Sequence, residues 1–220
     1  MAYRQTDNVA RRLAARHTAI LAAAGDAAAE GGMAAVQIAP VAERAGIAAG
    51  TLYRYFRSKT ELVAALVATL SERDMVAIER AAEAAPGPLS ALAAAITTFA
   101  ARSLAKPRLA FALIAEPVEP DIEAARNPYR QVLVAQFERL IRNAVEARHL
   151  PEQDVALAAS ALTGALSAGV VGALAPADFD DPGKARERVQ MLALFALRAL
   201  GVVDARARGL VVQTVAPEAG

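Results

Sequence analysis

The chain has 220 residues, with 24 Lys and Arg against 23 Asp and Glu, and no cysteine. That length buries a core in one sizeable domain or two small ones, and the missing thiols exclude disulfides and thiolate metal sites, so a cytoplasmic setting is natural. The net charge of +1 conceals an imbalance: residues 1–60 hold eight Lys and Arg against four acids, a positive part suited to a polyanion beside an acidic remainder.

Abundant alanine, little β-branched alternation and no Asn-Gly or Asp-Gly turn predict an all-α chain. Met1 to about Arg12 reads as a flexible basic arm: either a loose start or a segment that tracks phosphates. No signal-peptide core follows it. The first helix is expected over Leu13–Glu30, with Leu13, Ile20, Leu21, Ala24 and Ala28 inward, ending at Gly31-Gly32. A second spans about Ile38–Ala45, with Pro40 in its first turn where a missing N–H costs least. Gly46 redirects the chain into a third, about Ala49–Phe56. Ser58 and Glu61 form a capping box that opens a fourth helix, Lys59 to about Ala84.

Pro86-Gly87-Pro88 breaks the chain, a helix follows to about Leu104, and Pro107 opens a short one over Arg108–Ala115. Glu116–Pro120 reads as an irregular connector. Asn127 as N-cap and Pro128 at the first helical position then start a long amphipathic helix that stops near His149-Leu150-Pro151. Val155–Ala177 carries no charge and is long enough to cross a bilayer, but its few large side chains are diluted by Ala, Gly, Ser and Thr. The better reading is no membrane span. It is a buried helix whose small residues Ser160, Gly164, Ala168 and Gly172 recur every four positions and admit a second helix closely. Asp181 and Pro182 start the last helix, to about Leu200, and its wide apolar face reads as a partner surface. Residues 202–220 are read as a tail.

Two helices joined at Gly46 make a helix-turn-helix. With Leu52 and Phe56 facing inward, the second would present Ala49, Gly50, Thr51, Tyr53 and Arg54 outward. Small residues allow close backbone approach to a duplex, hydroxyls reach phosphates or base edges, and cations neutralise the backbone. Tyr55 reads either as a core aromatic or as a contact, and Arg54 and Arg57 as solvated charge or as contacts.

Ala42, Ala45-Gly46-Ile47, Gly50-Thr51-Leu52-Tyr53, Tyr55-Phe56, Ser58-Lys59 and Leu62, in one register with Ile20–Ala24 and Gly31-Gly32 upstream, resemble the DNA-binding domain of the tetracycline-repressor (TetR) family. The family usually has Ser or Thr at the N-caps of its second and third helices, where this chain has Gln37 and Ala48. The resemblance implies a DNA-binding domain over residues 1–60, with its motif at about 37–56, then a helical effector-binding and dimerisation domain over 61–201. The candidate contacts to double-stranded operator DNA are Arg16, Gln37, Ala48, Ala49, Gly50, Thr51, Tyr53, Arg54, Tyr55 and Lys59, with Tyr53 where the family has its phosphate-contacting tyrosine. The last two long helices would build a homodimer through Ser160, Gly164, Ala168, Gly172, Leu192, Ala196 and Leu200.

Phe99, Arg102, Phe111, Tyr129 and Phe137 are the candidates for a small-molecule effector pocket. The paucity of cations there favours an apolar or aromatic effector over a polyanion. No Walker loop, nucleophile elbow or HExxH motif occurs, and the only histidines, His17 and His149, lie far apart. No catalytic residue, metal or cofactor is therefore expected, and Glu116, Glu119 and Asp121 read as solvated acids. The function expected is a homodimeric repressor released from a palindromic operator by a small effector. A constitutive DNA-binding regulator and, more weakly, an all-helical enzyme are the alternatives.

Overall fold

The computed structural model describes residues 2–172 and 182–214, with side chains from Arg11 onward except Pro182. Ten α-helices order the described residues: α1 Ala2–Gly31, α2 Ile38–Arg44, α3 Ala49–Leu52, α4 Lys59–Glu83, α5 Pro88–Ala105, α6 Pro107–Ile114, α7 Pro120–Glu146, α8 Val155–Val171, α9 Pro182–Ala199 and α10 Asp204–Gln213. One 3₁₀ turn, Met33–Ala35, separates α1 from α2. Two apolar cores organise them. The first gathers Ile20, Ala24, Val36, Val41, Leu52, Phe56 and Leu62 from α1–α4. The second gathers Ile78, Leu92, Ile96, Phe137, Ile141, Leu166 and Leu197 from α4, α5 and α7–α9.

α4 belongs to both. Its Leu62, Val63, Leu66 and Val67 complete the first core, and its Ile78 and Ala82 enter the second. The division expected at residue 60 therefore falls at the start of a continuous helix, not at a linker. Leu109 and Ala112 of α6 and Ile122 of α7 also pack into the first core, so the two units meet over α6 and the start of α7.

Several expectations need correction. α1 runs back to Ala2, through the segment read as a flexible arm, because residues 2–12 contain no Gly or Pro to stop a helix. Leu13, expected inward, is 52% exposed. α7 starts at Pro120, seven residues before Asn127, and Pro128 lies inside it. Pro120 supplies the pre-set φ of a first helical residue, and Asp121 and Glu123 complement the positive end of the helix. Arg126 then anchors the first turns: buried to 3% exposure, it donates to the Glu116 carbonyl at 2.8 Å, to the Ala112 carbonyl and to the Glu123 carboxylate at 3.0 Å. These bonds hold the helix together despite the interior proline.

The supposed tail contains α10, whose Ala207 and Val211 are buried in the second core beside Val202. Apart from α3, the remaining boundaries agree closely, including Pro at the start of α5 and of α6. α5 is long and apolar enough to cross a membrane, but 56% of it is buried inside the fold, as a core helix is. Residues 173–177 of the uncharged run, and Asp181, lie outside the described residues.

Candidate nucleic-acid interface and effector cavity

The turn after α2 is built by Gly46. At φ +65° it lets its own N–H reach the Glu43 carbonyl at 3.0 Å and the Ile47 N–H reach the Ala42 carbonyl at 2.9 Å, the paired bonds that close a helix C-terminus. The chain then enters α3. Neither Gln37 nor Ala48 makes a side-chain cap bond, although both hold the extended N-cap conformation. Gln37 instead donates from Nε2 to the Ala34 carbonyl at 2.9 Å. α3 is only four residues long, shorter than expected, because the chain tightens after it: Arg54 N–H bonds the Thr51 carbonyl at 3.1 Å and Tyr55 N–H the Leu52 carbonyl at 2.8 Å.

Leu52 and Phe56 are buried beneath this segment. Ala48, Gly50, Tyr53 and Arg54 are exposed above it, Ala49 and Thr51 are half-buried, and nothing lies within 4 Å of where a Gly50 Cβ would stand. Tyr55 is half-buried and packs on the first core, so the structure favours its reading as a core aromatic. Ser58 accepts from the Glu61 N–H at 3.1 Å, and the Glu61 carboxylate accepts from the Arg57 N–H at 2.7 Å, which fixes where α4 begins. Lys59 stands in that first turn, where a cation is unfavourable unless an anion approaches. His17 of α1 stacks on Phe56 with ring centroids 5.0 Å apart, and Arg16 beside it is exposed. Arg44 and Glu30 pair through two 2.6 Å hydrogen bonds and fasten α2 to the end of α1.

A cavity of about 450 Å³ lies between α4, α5, α6 and α7. Phe99, Arg102 and Tyr129 line it, as expected. Phe111 and Phe137 do not. At about 100° per residue, Phe111 lies about 200° around α6 from the lining Leu109, and it packs on the second core. Phe137 is two turns beyond Tyr129 on α7 and fully buried in that core. Burial pushes the Tyr129 phenol up, helped by the Asp74 carboxylate, while Arg102 opposes the shift. Asp74 is itself raised by burial, against the lowering effect of its 2.7 Å hydrogen bond from Arg102.

Sequence reasoning missed Arg73, Asp74 and Lys106 in this lining, and with them its positive character. The signal was present on α4, where Arg73 and Asp74 follow Leu66 and Leu70 at helical spacing, the row that turns from the first core into the cavity.

On α8, Ser160, Gly164 and Ala168 are exposed, and Gly172 ends the helix at φ +72°. Of the residues proposed for the dimer from α9 and its end, Ala196 and Leu200 are buried in their own subunit, and Leu192 packs on Gly169, where an added Cβ would push its side chain aside. The apolar residues left outward are Met191, Phe195 and, on α8, Leu157, each more than half exposed.

Residues 20–66, which hold the whole turn-helix construction, match the family profile of bacterial regulatory proteins of the tetR family. Over that N-terminal segment the chain is similar to the TetR family. Over 77 residues it is 44% identical to the HTH-type transcriptional repressor KstR of Mycolicibacterium smegmatis, a stretch covering 35% of this chain and 38% of that relative. A likeness in fold to solved structures extends over the rest. The crystal structure of RolR with resorcinol is 24% identical, with a TM-score of 0.67, and is covered completely by 96% of this chain. FadR of Bacillus subtilis in complex with stearoyl-CoA is 19% identical, with a TM-score of 0.66 over 90% of this chain and 98% of that one.

Proposed function

We propose that the chain is a homodimeric DNA-binding transcriptional repressor, released from a palindromic operator when a small effector with a largely apolar body occupies the α4–α7 cavity. The observation that carries this reading is the segment from Gly46 to Lys59. Its buried side, Leu52 and Phe56, is fixed by the first core, while Gly50, Tyr53 and Arg54 stand exposed along one run. Gly50, Thr51 and Arg54 meet base edges in the major groove; Tyr53, Lys59 and Arg16 bind phosphates. A two-fold dimer through the outward faces of α8 and α9 sets the two reading segments about 34–36 Å apart, one helical turn of DNA, or a multiple of it.

The cavity distinguishes this reading from a constitutive DNA binder. It opens beside α4, whose other end is fixed by the Ser58 cap next to the reading segment. An effector that fits the cavity better in the DNA-free arrangement shifts the population by its differential affinity.

Electrophoretic shift assays on fragments flanking the gene test the reading. A retarded band is expected at modest ionic strength, and none on any such fragment overturns the proposal. Tyr53→Phe and Lys59→Ala weaken binding alike on all sequences, and Lys59→Ala lowers the salt slope by about one.

A further inference from the structure

The α4–α7 cavity has two chemically distinct parts. Its buried lining is hydrocarbon, from Phe99, Leu109 and Ala110. One wall carries the Arg102–Asp74 ion pair, which uses up the only acid of the lining and one of its three cations. The other two cations, Arg73 of α4 and Lys106 at the junction of α5 and α6, are exposed and stand within ion-pair distance of no carboxylate among the described residues. The lining thus has a net charge of +2, held on the exposed side of an apolar cavity.

A wholly apolar guest would gain only from burial of its surface, roughly 25 cal/mol per Å², and nothing from two unpaired cations. A guest with one anionic end gains from both parts. We infer that the cavity takes an amphipathic anion: an alkyl or aromatic body against Phe99 and Leu109, and one carboxylate-like head held by Arg73 and Lys106. This rests on the reading of the cavity as the effector site and narrows the class of effector. The hydrocarbon lining sets the polarity of insertion, because a charged head pushed inward would lose its hydration against Phe99 and Leu109, whereas at the opening it meets Arg73 and Lys106. The volume, about 450 Å³, lies in the lower part of the range of small-molecule pockets. The body is therefore of medium length or one to two rings.

The test is isothermal titration calorimetry on the full chain without DNA. Decanoate is compared with decanol, and 1-naphthoate with 1-naphthalenemethanol, on the wild type and on Arg73→Met/Lys106→Met. At least one acid should bind roughly tenfold or more tightly than its alcohol, with a margin that shrinks at higher ionic strength. The double substitution should abolish that margin and leave the alcohol's affinity in place. Which acid wins tells an alkyl body from an aromatic one. Alcohols binding as well as acids, a margin that survives the double substitution, or no heat from any of the four would each overturn the inference. With operator shifts intact, such a failure removes the effector class alone; failed shifts with acid binding intact remove the regulator reading instead.

Discussion

The carboxylate of Glu116 accepts a hydrogen bond from the backbone N–H of Met33 at 2.8 Å, 83 residues away in sequence. It covers Gly32, whose φ of +74° and lack of a side chain leave room for it. Glu116 follows α6, and its carbonyl is held by Arg126, which also grips the end of α6 through Ala112. One carboxylate thus ties the end of the helix that lines the cavity to the 3₁₀ turn after α1, beside the first core, although the sequence presents it as a solvated acid in a connector.

Replacing Glu116 with Ala should leave the buried Met33 N–H without a partner, at a cost of about 1–3 kcal/mol in urea unfolding. The larger expected effect is on coupling: operator affinity is retained, while the effector concentration needed for release rises. Unchanged release at unchanged effector affinity would show that the link carries no signal.

Gly50 separates folding from reading. Nothing stands within 4 Å of its missing Cβ, so Gly50→Ala should leave the fold intact or stabilise it, by up to about 1 kcal/mol. On the proposed function the added methyl would stand where the backbone approaches the duplex, so operator affinity should fall. A thermal melt and a shift titration on one preparation check both signs.

Gly164 is exposed and nothing lies within 4 Å of where its Cβ would stand, so Gly164→Leu should be tolerated inside the subunit. Any effect it has on assembly must come from a second molecule. Sedimentation should show dimers weakened by Gly164→Leu and by Phe195→Asp, which places a charge on an exposed apolar residue of α9. Unchanged dimers in both would remove the α8–α9 face from the interface.

The Arg44 hydrogen bonds hold the Glu30 carboxyl below the usual carboxylate range. A lowered folded-state pKa means that the stabilisation is present above the unfolded-state value and is lost as pH falls through the folded one. Stability should therefore decline as the medium passes from about pH 5 downward, and Glu30→Gln should flatten part of that decline. Asp204, lowered by Arg208 and Arg198, contributes in the same direction, whereas half-buried Asp74, raised, works against it. The difference between wild type and Glu30→Gln isolates one pair.

The punctuation of the fold was legible because it is local. Gly46 needs only its own φ, Pro88 and Pro107 their fixed dihedrals, and Ser58 and Glu61 each other's neighbouring backbone. Asn127-Pro128 is as good a local start signal, yet it is overridden by Arg126, whose partners come from α6 and the connector. α10 escaped notice because Ala207 and Val211 make too sparse a stripe to stand out until α5 and α9 lie beside them. The exposed side of the Gly46–Lys59 stretch, confined to one short segment, was largely legible. The cavity was only half visible, since Arg73, Arg102, Lys106 and Tyr129 converge from three helices and the α5–α6 junction.

α4 spans 25 residues, about 37 Å of unbroken helix. Between its two apolar stretches stands Ser71, buried, with its hydroxyl unpartnered. A rod of that length behaves as a lever, and Ser71 stands where it passes from one core to the other. A tilt of a few degrees there, over an arm of roughly 20 Å, displaces the far end by an ångström or more. In the proposed dimer, paired levers would double that error in the distance between their tips, against half-sites whose separation DNA alters only at a cost in deformation energy.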